Sequence, residues 1–192
     1  MESALRREAV EHAYREHVDD VYRVVFAVVR DAEQARDLTQ DTFARAFERW
    51  DQYDSRRAVR PWLQGIGAHI ALDAMRRRRV RWIVQPRGPV EPGSAAARGR
   101  EGEPSTADHA DRTAEREALE SGLAQLRPLA RAVLVLRHVY GYEYAEIGSM
   151  LGTSAGNVGS LLTRSHALLR ERLAADHPHR HRAADPARRA AR

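Results

Sequence analysis

Three groups of residues in this 192-residue chain have types and spacings suited to binding rather than to catalysis. Arg76, Arg77, Arg78, Arg79 and Arg81 form a basic run with no acid inside it, the composition that holds phosphate oxygens. Asn157, Ser160 and Arg164 recur at helical spacing, with Thr163 beside them and Ser154 just upstream. On a helix they make one polar stripe of the kind that reads base edges in a major groove. Asp37, Gln40, Asp41 and Arg45 share a face in the segment from Asp31 to Asp54, where seven acids meet three arginines. An acidic surface followed by a basic one implies two different partners, one of them a protein and the other a polyanion.

Other chemistries find little support. There is no phosphate-cradling glycine loop, no nucleophile elbow and no metal-spaced histidine pair on a helical pattern. The chain has no cysteine, which excludes disulfides, thiolate catalysis and cysteine-ligated zinc. His177, His179 and His181 are closely spaced, but Asp176 and Asp185 are the only carboxylates near them, so adventitious metal binding is the expectation. The sequence therefore predicts no enzyme activity, no cofactor, no metal and no small-molecule substrate. The net charge is +5 and the pI about 10.2, although all basic residues are arginine, which can reflect genome composition. No apolar run of about 18 residues occurs and charge begins at Glu2, which predicts a cytoplasmic protein with no signal peptide and no membrane insertion.

The elements that must carry these groups are helical. Val18, Val21, Tyr22, Val25, Phe26 and Val29 recur every three or four residues. Leu38, Thr42, Phe43, Ala46, Phe47 and Trp50 mark a second helix; Trp62, Leu63, Ile66, Ile70, Leu72 and Met75 mark a third, opened by Pro61 where a missing N–H costs nothing. Between about Val84 and Arg112 periodicity stops and four of the eight prolines fall, the composition of a flexible linker. Helical pattern returns from Ala114, with Leu119, Leu123 and Leu126 on one stripe and Ala132, Val133, Leu136 and Val139 after Pro128. The expected fold is all-α: a helical domain over 9–83, a flexible linker over 84–112, a helix-turn-helix domain over 113–174 and a disordered Arg/His-rich tail over 175–192.

Within the last domain Tyr144 to Leu151 reads as the first helix. Gly152, Thr153 and Ser154 make the turn, with glycine as the helix stop and Ser154 as the next N-cap. An ordinary helical hairpin shares that glycine turn. Residues Gly156 to Thr163 carry no charge, and Gly159 sits inside the helix at a cost of about 1 kcal/mol relative to Ala, so the module should bind DNA weakly alone.

Taken in order, these segments resemble the extracytoplasmic-function sigma factors of bacterial RNA polymerase. Asp37-Leu38-Thr39-Gln40-Asp41-Thr42-Phe43 is similar to that family's polymerase-docking helix, the segment from Pro61 through Arg79 to its −10-reading segment, and Tyr144 to Leu173 to its −35-reading helix-turn-helix. The resemblance implies core polymerase binding by Asp37, Leu38, Gln40, Asp41, Thr42, Phe43 and Arg45. It implies −10 contacts from Tyr53, Asp54, Arg60, Trp62, His69, Asp73, Arg76, Arg77, Arg78 and Arg79, with Trp62 open to a core role as well. It implies −35 contacts from Ser154, Asn157, Ser160, Thr163 and Arg164. Core RNA polymerase, promoter DNA and an anti-sigma factor are the implied partners.

The chain departs from the family pattern at several positions. The family commonly has an Arg-Asn pair where this chain has Ala68-His69, basic residues where it has Gly159 and Leu161, and an arginine where it has His166. Those departures predict weakened DNA contacts beside an intact docking motif. A stand-alone helix-turn-helix regulator, or a polymerase-binding factor with degenerate promoter recognition, are the alternatives.

Overall fold

The computed structural model describes residues 2–84 and 107–176, with side chains for 4–81 and 116–174. Most of the expected linker, and the tail beyond Asp176 with His177, His179 and His181, lie outside these residues. The described residues form seven α-helices and one 3-10 turn, with no strand among them. In order they are α1 (Glu2–Val29), α2 (Ala32–Glu48), the 3-10 turn (Trp50–Gln52), α3 (Val59–Val84), α4 (Ala107–Gln125), α5 (Pro128–His138), α6 (Tyr144–Leu151) and α7 (Ala155–Asp176). The all-α expectation stands, with helix reaching past the expected bounds in three places: α1 begins at Glu2, α7 runs to Asp176 into the expected tail, and α4 begins at Ala107, inside the stretch expected to be linker. Alanines and acids at its start suit a helix N-terminus, a signal that the absence of apolar periodicity hid.

The helices group by contact into two compact units that do not follow chain order. The first takes α1, α2, the 3-10 turn, α3, α5, α6 and the start of α7 to Leu162; the second takes α4 and α7 from Thr163.

In the first unit α1 is the hub, packed by α2, α3 and α5. Val21, Val24, Val25 and Val28 are fully buried, whereas Phe26, expected on the buried stripe, is 40% exposed and stacks on Tyr22 at 5.8 Å. Neighbours on several sides of α1 widen and rotate its buried arc, which a single-stripe pattern does not reveal. The α1–α3 crossing is close because Gly67 has no side chain: a β-carbon there would stand 3.1 Å from Val21 Cγ1 and from Val25 Cγ2. α2 starts at Asp31, whose carboxylate accepts from the Gln34 N–H at 2.9 Å, and buries Ala35, Thr39, Thr42, Phe43 and Ala46.

In the second unit, Ala118 and Gly122 let α7 come close; a β-carbon on Gly122 would meet Leu169 Cδ2 at 2.8 Å. Leu119, expected on the buried stripe, is turned out and 41% exposed. The Arg172 guanidinium donates to Gln125 Oε1 at 2.6 Å.

The helix-turn-helix has the expected bounds. Glu143 and Glu146 form a reciprocal capping box at the start of α6. Gly152, at φ 64°, ends α6 in the left-handed region, and the Thr153 N–H returns to the Gly148 carbonyl at 2.9 Å. Ser154 Oγ accepts from the Asn157 N–H at 3.2 Å and caps α7. The turn folds so tightly over Gly148 that a β-carbon there would be 2.7 Å from the Thr153 carbonyl oxygen, whereas one on Gly159 would make ordinary contact with the Tyr144 ring at 3.4 Å. Gly148→Ala should therefore destabilise the fold by about 1–3 kcal/mol through overpacking. Gly159→Ala should stabilise it by up to about 1 kcal/mol through helix propensity. Urea unfolding followed by circular dichroism checks the pair, and shifts of the same sign would contradict this turn geometry.

Candidate nucleic-acid interface

The buried stripe of α2 sets what its other face can present. Asp37, Gln40, Asp41 and Arg45 are exposed, and Leu38 is half-buried. Thr42 is fully buried, its hydroxyl donating to the Leu38 carbonyl at 2.7 Å, and buried Phe43 meets the Tyr14 ring edge-on at 4.8 Å. Thr42 and Phe43 thus fix the orientation of α2 and do not themselves offer a surface. The exposed face borders a 380 Å³ cleft that α2 shares with α3, where Asp41 and Arg45 meet Asp73 and Arg77.

A larger groove of about 1130 Å³ continues from it, sharing Arg45, Ile70 and Asp73. Its floor is the face of α3 that carries Trp62, Gly65, Ile66 and His69. Trp50, Tyr53 and Trp62 gather at one end with ring centroids 5.1–5.8 Å apart, all half-buried. Packed aromatics with exposed edges can hold the face of an unstacked base. The Tyr53 hydroxyl is committed to the Arg57 carbonyl. Asp54 accepts from Arg56 through side chain and backbone, which holds its carboxyl below the ordinary value of 3.8.

The structure brings Tyr53, Asp54, Trp62, His69 and Asp73 to this groove but not Arg60. The Arg60 Nε donates to the Tyr142 hydroxyl at 3.3 Å, and the guanidinium lies 5.6 Å from the Tyr140 ring centroid. The arginine run is exposed throughout, but successive residues turn about 100° around the helix. Arg76 and Arg77 therefore share the face of His69 and Asp73, Arg76 pairing with Asp73 at 2.6 Å, while Arg78 and Arg79 point elsewhere.

On α7, Ser154, Ser160, Thr163 and Arg164 are exposed, and Asn157 is half-buried with its amide donating to Thr153 Oγ1 at 2.8 Å. Ala68 and Leu161, two of the positions where the family pattern has polar or basic residues, are 0% and 4% exposed and belong to the core. In this packing those two positions present no surface, whereas His69, another of the departures, is exposed in the groove.

Several functional-looking groups escaped the sequence pattern. Arg131 on α5 is 6% exposed and donates through Nε to the Ala27 carbonyl at 2.7 Å and through a second nitrogen to the Val28 carbonyl. Burial, with Arg30 nearby, pulls its pKa from 12.5 to about 10, so it stays charged at neutral pH. The Tyr140 hydroxyl lies 3.0 Å from the Asp20 carbonyl and 3.2 Å from its carboxylate. The buried Tyr142 hydroxyl donates to Gln64 Oε1 at 2.8 Å. No apolar period marks them, because each is a polar residue satisfied by a distant partner. Among the described residues no cluster of three His, Cys, Asp or Glu could hold a metal, and no helix is long and apolar enough to cross a membrane.

Burial pushes the Tyr140 and Tyr142 phenols above their ordinary 10.0. A folded-state pKa raised above the unfolded one favours the neutral phenol. That contribution to stability is complete below pH about 10 and is lost as pH rises through the folded values. Phenolate absorbance should show two groups ionising above pH about 10 that Tyr140→Phe/Tyr142→Phe removes. If the absorbance lost in the double variant is instead centred at the ordinary value of about 10, their burial is refuted.

Residues 13–81 match the family model for sigma-70 region 2, and residues 116–169 that for sigma-70 region 4. The chain is 34% identical over 165 residues to the ECF RNA polymerase sigma factor SigE of Mycolicibacterium smegmatis, a match that covers 83% of this chain and 60% of that protein. It is 32% identical over 165 residues to the RNA polymerase sigma-E factor of Streptomyces coelicolor, covering 86% of each. The sigma factor RpoE of Bartonella quintana, solved with the anti-sigma factor NepR, superposes with a TM-score of 0.63 over 85% of this chain and 95% of that one. At 19% identity that likeness speaks to the fold alone.

Proposed function

The chain belongs to the sigma factors of bacterial RNA polymerase, in the extracytoplasmic-function group, and from that premise we propose how its surfaces divide the work of starting transcription at chosen promoters. Core polymerase docks on the exposed face of α2 through Asp37, Gln40, Asp41 and Arg45, with Leu38 at its edge. The groove beside Trp62 and His69 captures a base extruded from the −10 element, because a duplex minor groove offers little sequence to read. Arg76 and Arg77, with Arg78 and Arg79 around the helix, hold backbone phosphates and add salt-dependent affinity. Ser154, Asn157, Ser160, Thr163 and Arg164 read the −35 element. Residues 9–83 and 113–174 serve as the two functional modules, and fixing both on one polymerase raises their joint affinity by effective concentration. An anti-sigma factor is the expected regulator. Phosphodiester chemistry belongs to the polymerase, so this chain acts by binding, in the cytoplasm where the template lies.

One observation carries this reading: the acidic docking face and the aromatic groove are continuous, sharing Arg45, Ile70 and Asp73. A strand parted at the polymerase surface would pass directly into the groove. Transcription from fragmented genomic DNA of the source organism with purified core polymerase should give discrete starts sharing two spaced upstream elements, absent without the chain. Specific promoter binding without polymerase would instead identify a stand-alone regulator. Asp41→Arg should weaken core binding at least about tenfold by reversing a charge in the acidic contact (a change of about 1.4 kcal/mol); unchanged assembly would refute the docking face. Neutralising Arg76 and Arg77 should lower the slope of log affinity against log salt by about 0.9 for each phosphate they no longer hold. An unchanged slope would remove them from the DNA.

A further inference from the structure

The aromatic end of the groove is far from the arginine run assigned to phosphate. Trp62 and Arg76 both lie on α3, and from residue 62 to residue 76 the helix rises about 21 Å. No arginine side chain spans that distance, so Arg76 and Arg77 cannot hold the phosphate of a nucleotide whose base stacks on Trp50, Tyr53 and Trp62. An extruded nucleotide carries its charge with it, and that charge needs a cation at the same end of the groove.

Three arginines line the groove: Arg45, Arg49 and Arg57. Arg45 lies 3.5 Å from Glu48, and Arg57 lies 3.8 Å from Asp54, which Arg56 also engages at 2.9 Å. Arg49 is exposed, and among the described residues its guanidinium makes no hydrogen bond or ion pair. Its backbone, by contrast, is fixed on both sides. The Arg49 N–H closes α2 on the Arg45 carbonyl at 3.1 Å, and its carbonyl accepts from the Gln52 N–H at 2.9 Å to open the 3-10 turn. The next residue is Trp50, whose ring centroid is 5.3 Å from that of Tyr53 and 5.8 Å from that of Trp62. The turn is also tied to α1: Arg6 donates to both carboxylate oxygens of Asp51, at 2.7 and 2.6 Å, and lies 5.9 Å from the Phe47 ring centroid. An uncommitted guanidinium thus stands beside the stacking surface on a backbone already ordered, so loop ordering does not subtract from binding.

We propose that Arg49 holds the phosphate of the extruded −10 nucleotide, a single-strand contact separate from the arginine run on α3. It rests on the −10 assignment above. The aromatic cluster takes the face of the base, and Arg49 takes the charge beside it. A contact offered only to the parted strand shifts the equilibrium toward the open promoter by its own free energy.

The test uses the full chain with core polymerase and a DNA fragment carrying a mapped start, either fully paired or with its −10 segment unpaired by mismatches. Arg49→Ala should weaken binding to the unpaired form at least about fivefold, a modest value for an exposed charged contact. Binding to core polymerase should be unchanged. The slope of log affinity against log salt should fall by about 0.7, the amount for one phosphate on a single strand. Arg49→Lys should keep most of that slope. A neutral methylphosphonate in place of the phosphate beside the unpaired bases should weaken the wild-type chain by the same factor and Arg49→Ala no further. The loss should be equal whichever base is extruded, because phosphate carries no sequence. Wild-type affinity and slope in Arg49→Ala would overturn the proposal. So would lost affinity at unchanged slope, which makes Arg49 a prop for the turn, or a loss confined to one base, which makes it a base-edge reader. If the wild-type chain with core polymerase does not prefer the unpaired form, the −10 assignment fails and the proposal falls with it. If the wild type prefers it and Arg49→Ala binds it equally, the proposal alone fails.

Discussion

The crossing of α1 over α3 at Gly67 is the constraint from which the first unit follows. Only a residue without a side chain lets the Val21 and Val25 methyl groups sit against the α3 backbone, with the Thr42 hydroxyl also in reach. That contact fixes the rotation of α3. Leu63, Gly67, Ala68 and Ala71 turn inward, so Trp62, Ile66, His69 and Asp73 turn toward the groove. The same contact sets α2 against both helices, which turns Asp37, Gln40 and Asp41 to solvent. Docking face and base-capturing groove are thus two outcomes of one packing decision, and neither can be moved without the other.

Much of this is legible in the residues because the apolar periods are strong. The turn of the helix-turn-helix is readable residue by residue, since the Gly152 stop and the Ser154 cap each have a local cause. What escapes depends on partners distant in sequence. Phe26 and Leu119 look like core residues in a single-helix pattern, but the extra neighbour of α1 and the small residues Ala118 and Gly122 rotate them outward. Thr42 and Phe43 sit in a motif that resembles a binding sequence, yet their role is to orient the helix that binds. Arg60 has the look of a phosphate ligand because charge is the sequence-level signal; its partners, Tyr140 and Tyr142, lie about 80 positions away. Ala68 and Leu161 read as gaps in a DNA-binding surface for the same reason, and in the fold both are buried.

The two kinds of interface in the first unit differ in what parting them would cost. The α1–α3 crossing is lined by Val21, Val25, Leu63 and Ala71, all without exposed surface. Separating it would expose apolar area at roughly 25 cal/mol per Å² with nothing to offset the loss. The α5 and α6 contacts are richer in polar groups: Arg131, Tyr140, Tyr142, Gln64 and Arg60. Each of their hydrogen bonds can be exchanged for one to water at a net cost of about 0.5–1.5 kcal/mol. Among the described residues Gln64 Nε2 has no hydrogen-bond partner, and exposure to water would supply one. A polar interface of this composition specifies one geometry through its hydrogen bonds more than through apolar burial.

That difference explains why the polar residues sit where they do. Arg131 satisfies two carbonyls that α1 would otherwise leave to water, and it is itself desolvated there. Were the contact parted, both carbonyls and the guanidinium would return to solvent, with nothing left buried and unpaired on either side. A leucine at 131 could pack against α1 more cheaply, but α1 would lose the cation at its C-terminus. The desolvation that pulls down the Arg131 pKa is thus set against two carbonyl hydrogen bonds and the dipole at the end of α1, so the charged side chain adds specificity to this contact more than net stability.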